Sequence, residues 1–114
     1  MSEAVAVPGA FYREFVIRLY RENRFAAGTL EVGGRRVELS RIVCPLLAVV
    51  GTRDHIVPPE CSTPVLELVA SADRELLLLP YGHISLTVGS GATETFWPKS
   101  AAWLAARSRR ARRR

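Results

Sequence analysis

The sequence is short of cysteine, of long hydrophobic runs and of repeats, and each shortage narrows what the chain is. Its two cysteines, Cys44 and Cys61, have no metal-ligand spacing, so a cysteine-built metal centre is not expected. Two such thiols with no disulfide framework fit a reduced, cytoplasmic setting. No run of about 18 residues is continuously apolar, so no membrane-spanning helix is expected. The opening MSEAVAVPGA has no basic stretch leading into an apolar one, so no signal peptide is expected either. No internal repeat occurs, and the one low-complexity stretch is the arginine-rich end.

What is present is enough for one domain. Of 114 residues, 48% are hydrophobic, which supports a core and argues against wholesale disorder. The formal charge of +5 is unevenly placed. Of sixteen basic side chains, six are arginines within the last eight residues, RSRRARRR; the remaining ten face eleven acidic ones, a net of −1. The chain therefore divides into a nearly neutral unit over 1–106 and an arginine-rich tail over 107–114, expected to be solvated and disordered. Weak contact with a polyanion, or with a granule or membrane surface, is a further use of such a tail. No aromatic residue is interleaved for base stacking, so specific nucleic-acid recognition is not expected.

Periodicity supplies the elements. Residues 10–23 place Tyr12, Phe15, Val16, Leu19 and Tyr20 at helical spacing, with Arg13, Glu14, Arg18, Arg21 and Glu22 opposite. This predicts an amphipathic helix after Pro8–Gly9, its apolar stripe a packing surface. Short alternating runs on either side of Gly33–Gly34 predict a β-hairpin. The glycine pair reads as a turn and not as a phosphate cradle, because no helix follows it. The segment 44–51, CPLLAVVG, is continuously apolar, as a strand covered on both faces is. Residues 61–72 repeat Val65, Leu66, Leu68 and Val69 helically, with Ser62 or Thr63 as cap and Pro64 in the first turn. Residues 75–80, ELLLLP, form a second strand, and 97–107 a helix with Pro98 at its start. Strand, helix, strand, helix predicts a parallel βαβα unit of the α/β class, with a right-handed crossover and adjacent strands.

Chemistry in such a sheet gathers beyond the carboxyl ends of the strands. Gly51-Thr-Arg-Asp54-His55-Ile-Val-Pro-Pro59 follows the first strand and Tyr81-Gly82-His83-Ile84 follows the second. Strands lie about 4.8 Å apart, so the two loops share a rim and Asp54 can meet His83. A carboxylate so placed holds an imidazole in one tautomer and stabilises its protonated form. The plainer reading of Asp54 is a turn aspartate. His55 adjoins Asp54, and side chains of such a dipeptide diverge, which favours a structural role. Ser85, Thr87 and Ser90 form a polar loop, Gly89-Ser90-Gly91 suggests mobility, and Trp97 and Trp103 read as helix packing.

A specific resemblance then appears. Tyr20-Arg-Glu-Asn23, Gly34-Arg-Arg-Val37-Glu-Leu39-Ser-Arg-Ile42, Asp54-His-Ile-Val-Pro58, Gly82-His83-Ile84 and Ala101-Ala-Trp103-Leu104 resemble, in this order, the late part of bacterial polyhydroxyalkanoate synthases. The likeness covers nearly all of residues 8–106. It implies the C-terminal fragment of an α/β-hydrolase fold: an opening helix, a hairpin and the βαβα unit. It also implies a cysteine-nucleophile acyltransferase that polymerises 3-hydroxyacyl-coenzyme A into polyester in the cytoplasm or at the polyester granule. Asp54 becomes the acid of a Cys-Asp-His triad and His83 the general base. The coenzyme A thioester is a substrate, and no cofactor or metal is implied.

The family's nucleophile stands in a Gly-x-Cys-x-Gly elbow, and these 114 residues contain none. Cys44 precedes Pro45 at the wrong end of a strand, and Cys61 lies past the acid loop; neither has the strand-turn-helix setting of an activated nucleophile. The chain alone is therefore expected to be inactive, and three readings stay open. It supplies acid and base to a nucleophile-bearing synthase half; it is a non-catalytic remnant that binds the granule or a synthase subunit; or it is a fragment of another α/β-hydrolase, an esterase or thioesterase. Complete sheets of this class commonly need about 200–250 residues. An unpaired strand edge, and hence self-association, is expected.

Overall fold

The computed structural model describes residues 6–108. The chain opens with a helix, α1 (Gly9–Glu14), which widens into π-helical turns over Phe15–Arg21 and closes with the Glu22 N–H donating to Ile17 O at 3.0 Å. Asn23, in the left-handed region at φ 47°, ends it. The predicted helix is present, but no residue in it is buried: of its expected packing stripe, Val16 and Leu19 are half-buried while Tyr12, Phe15 and Tyr20 stay exposed. Strands β1 (Glu31–Val32) and β2 (Arg35–Arg36) then pair antiparallel, Glu31 opposite Arg36 and Val32 opposite Arg35. Gly33 and Gly34, at φ 58° and 73°, make the two-residue turn that the strands' twist demands.

The centre is a parallel pair, β3 (Leu46–Gly51) and β4 (Arg74–Leu79), in register from Leu46 opposite Arg74 to Gly51 opposite Leu79. The strands are adjacent, as the crossover argument requires. Between them the expected single helix is two short ones, α2 (Pro59–Ser62) and α3 (Val65–Leu68). Pro64 has no N–H to carry the ladder across the gap, and neither Ser62 nor Thr63 caps through its side chain. The helix also stops at Leu68 instead of 72. Val69 turns extended and is buried, and the Ala70 N–H donates to Ile42 O at 3.0 Å. Buried Ser71 reinforces that anchor, its hydroxyl 2.6 Å from Cys44 O and 3.2 Å from Ile42 O.

Helix α4 (Ser90–Glu94) begins inside the segment expected to be a mobile loop, and α5 (Phe96–Arg107) follows it. Pro98 is the third residue of α5, within its first turn, where its missing N–H costs no hydrogen bond. Arg107 is not tail but the last residue of α5. Its guanidinium grips Asp73 with two bonds, 2.6 and 2.8 Å, and lies 4.1 Å over the Trp103 ring. Ser108 follows with its hydroxyl 2.7 Å from Leu104 O, and residues 109–114 of the expected tail lie outside the described residues. Trp97 is exposed rather than packed, with its Nε1–H donating to Thr87 O at 3.0 Å. The buried apolar residues are Leu30, Leu39, Val50, Val69, Leu79 and Ala92. Val50 is the last residue but one of β3 and Leu79 the last of β4, so the best-packed part of the sheet underlies the two loops that follow it. Most of β3 is only half-buried, not covered on both faces.

Candidate active site

The two loops are stitched together by backbone. The Thr52 N–H donates to Leu79 O at 2.8 Å and the Arg53 N–H to Tyr81 O at 3.1 Å, while the Asp54 N–H closes a turn on Gly51 O at 3.2 Å. Gly51 permits this approach, because a Cβ on it would sit 2.5 Å from Tyr81 O. The second loop has its own brace. The Gly82 N–H donates to Ser85 Oγ at 3.0 Å, the Ser85 hydroxyl lies 3.3 Å from Gly82 O, and the Leu86 N–H donates to Gly82 O at 3.0 Å. Beneath it, Thr95 Oγ1 lies 3.4 Å from the Tyr81 hydroxyl, and Gly91 leaves the space that the Tyr81 ring fills.

On this frame Asp54 and His83 meet. Asp54 Oδ2 lies 2.8 Å from His83 Nδ1, while Oδ1 accepts from the Ile56 N–H at 2.9 Å and the Val57 N–H at 2.8 Å. The Asp54 carboxylate is sealed, 8% exposed as a residue; the His83 imidazole is open, its side chain 47% exposed. Burial pushes the Asp54 carboxyl up, but the Val57 amide, His83 and the Ile56 amide together outweigh it and hold the carboxyl below its ordinary value. Ionised Asp54 can only accept, so Nδ1 of His83 carries the hydrogen and Nε2 of the neutral ring is left as the basic nitrogen.

Two clefts adjoin His83. One, of about 570 Å³, is open and lined by Arg53, His55, Ile56, Ile84 and Val88. The other, of about 350 Å³, runs along the carboxyl end of β3 past Asp54, Ser62 and Thr87. Cys44 and Cys61 are free thiols at the surface, and neither lines these clefts. Among the described residues no three His, Cys, Asp or Glu side chains cluster as the ligands of a metal would. No described helix is long and apolar enough to cross a membrane.

No family model matches the chain. It is 38% identical over 108 residues to the poly(3-hydroxyalkanoate) polymerase subunit PhaC of Haloferax mediterranei, covering 95% of this chain and 22% of that protein. The same subunit from Haloarcula marismortui is 34% identical over 108 residues, covering 95% of this chain and 23% of its own length. That of Allochromatium vinosum is 35% identical over 96 residues, 84% of this chain and 27% of its own length. The chain is homologous to the C-terminal part of PhaC. It spans roughly a quarter of the length of these curated relatives.

Within this PhaC-like segment the structure brings together the two residues singled out by order and position, Asp54 and His83. It keeps His55 apart from the pair, exposed on the wall of the wider cleft. The polar loop divides: Ser85 braces the histidine turn and lines the wider cleft, Thr87 lines the narrower one, and Ser90 starts α4. Sequence reasoning missed the supporting parts. Gly51 as the point of closest approach, Ser85 as the brace and the Tyr81–Gly91 contact carry no local pattern, because each depends on where a second loop passes.

Proposed function

We propose that this chain supplies the acid and the base of a polyhydroxyalkanoate synthase-type acyl-transfer site on the C-terminal part of an α/β-hydrolase fold. Asp54 orients His83, and His83 Nε2 is the general base. The observation that carries the reading is the contact of buried, ionised Asp54 with Nδ1 of an open histidine at 2.8 Å, on the rim of a parallel sheet. The substrate is a 3-hydroxyacyl-coenzyme A thioester. A cysteine from a nucleophile-bearing polypeptide, deprotonated by His83, attacks the thioester carbonyl, and coenzyme A leaves as the thiol with that proton. The hydroxyl of a second hydroxyacyl unit or chain end, deprotonated in turn by His83, then attacks the acyl-enzyme. A new ester forms and the cysteine is released. The site works in the cytoplasm, at the surface of the growing polyester.

Supporting the need for a second polypeptide, neither Cys44 nor Cys61 lines a cleft at His83. A second reading, a non-catalytic piece that binds a synthase subunit or granule, is favoured by the apolar side chains left exposed on α1 and β4.

Coenzyme A release from 3-hydroxybutyryl-coenzyme A tests the choice, with this chain alone and mixed with a fragment bearing the Gly-x-Cys-x-Gly elbow. Turnover is expected only in the mixture and is abolished by His83→Ala. No turnover in a mixture shown to be folded and associated leaves the binding reading in its place.

A further inference from the structure

The wider cleft at His83 has an uneven chemistry that the acid-base pair does not use. Its walls include three exposed apolar side chains, Ile56 and Ile84 at 70% and Val88 at 78% exposure. No aspartate or glutamate lines it. Arg53 stands on its edge with the backbone held by the Tyr81 carbonyl at 3.1 Å, so the root of the side chain is fixed. Among the described residues, no carboxylate lies within ion-pairing distance of its guanidinium, and that group makes no hydrogen bond. Neighbouring Asp54 makes no ion pair with it; its oxygens face His83, Ile56 and Val57 instead. Apolar side chains beside one uncommitted, always-charged fork, in a cleft that His55, His83 and Ser85 also line, suit a ligand that has an apolar chain and an anionic end.

We propose that Arg53 is a substrate-binding residue: its guanidinium takes a phosphate of a coenzyme A thioester, while Ile56, Ile84 and Val88 line the path of the acyl and pantetheine chain toward His83. This rests on reading the site as one for acyl-coenzyme A. Guanidinium and phosphate match through two parallel N–H···O bonds, which a lysine cannot reproduce. The pantetheine arm without its phosphates retains only the apolar contacts. Arg53 therefore discriminates coenzyme A from pantetheine, and the discrimination weakens as salt is raised.

The test titrates coenzyme A and pantetheine into this chain and into Arg53→Gln and Arg53→Lys by calorimetry. The His83 imidazole resonances are followed by NMR, and circular dichroism checks that each variant is folded. We expect the unaltered chain to bind coenzyme A about tenfold or more tightly than pantetheine. Arg53→Gln loses that advantage, Arg53→Lys keeps part of it, pantetheine affinity is the same in all three, and the His83 resonances move in each titration. Equal coenzyme A affinity in the unaltered chain and Arg53→Gln, with His83 still responding, overturns the role of Arg53 and leaves the acyl-transfer reading standing. Coenzyme A binding that leaves His83 unmoved, or no binding by the folded chain, overturns this inference, while the acyl-transfer reading is overturned only by the mixture assay.

Discussion

Asp54 answers two questions with two oxygens. Oδ1 closes the turn by accepting from Ile56 and Val57, as a turn aspartate does; Oδ2 holds His83. One residue makes both sets of contacts, because a carboxylate has lone pairs enough for both. The folded chain holds the Asp54 carboxyl below its ordinary value despite burial. The stability this contributes is present above the unfolded value and is lost as pH falls through the lower folded one. In Asp54→Asn the acid limb of stability should flatten, with a remainder from Asp73, whose carboxyl the Arg107 bond also holds down. Thermal melts taken from neutral pH down through the carboxylate range check this. Unchanged acid sensitivity in the variant would exclude Asp54 as its source. In the reconstituted synthase mixture the same variant should lose turnover by up to about 10⁴-fold, because an amide no longer fixes the histidine tautomer. Gly51 is the other decisive residue. Gly51→Ala drives a methyl against Tyr81 O and should cost about 1–3 kcal/mol in urea denaturation. It should also lengthen the Asp54–His83 contact, visible as a changed His83 resonance.

At the scale of elements, reliability followed how local the cause was. The hairpin came through because two glycines at positive φ determine both turn and pairing without outside help. Gly34→Ala, at φ 73°, should weaken it by about 1–2 kcal/mol. The readout is faster hydrogen exchange of the Val37 amide, which donates to Leu30 O at 2.8 Å and continues the ladder. An unchanged exchange rate would mean the turn does not limit the hairpin. The two strands were legible from apolar runs bounded by glycine and proline. The crossover helix was not, because its apolar spacing continues to Val69 while burial of Val69 and the Ala70–Ile42 bond pull the chain out of helix. Helix α4 escaped notice because glycine and serine at its start look like loop, and only contact with Tyr81 gives that turn a reason to form.

At the largest scale the described residues form an open structure. Its radius of gyration is 17.1 Å, against about 13 Å for a compact chain of about 100 residues. Among the described residues β3 and β4 make a two-stranded parallel sheet, a form that is ordinarily covered on both faces and extended at both edges. Leu76 and Leu78 of β4, Phe11 and Tyr12 of α1, and Phe15 in the π-helical turns after it face solvent. Free edges with exposed apolar side chains favour association. Size-exclusion chromatography with light scattering should find this chain self-associated, and a nucleophile-bearing synthase fragment should convert it to a defined complex. A monodisperse monomer with a cooperative melt would contradict this.

The sequence by itself determined the α/β pattern, the hairpin, the order acid then histidine, and the absence of a Gly-x-Cys-x-Gly elbow from these residues. Those properties depend on residue type, spacing and chain order, all of which are local. Only the tertiary structure decided that Asp54 is sealed while His83 is open, that Gly51 lets the two loops touch, and that Arg107 belongs to a helix held by Asp73. Each of these is a contact between segments distant in sequence. The meeting of the two loops arises from the register of β3 against β4, and the Arg107–Asp73 grip from the return of α5 to the start of β4; no pattern within any one segment records either.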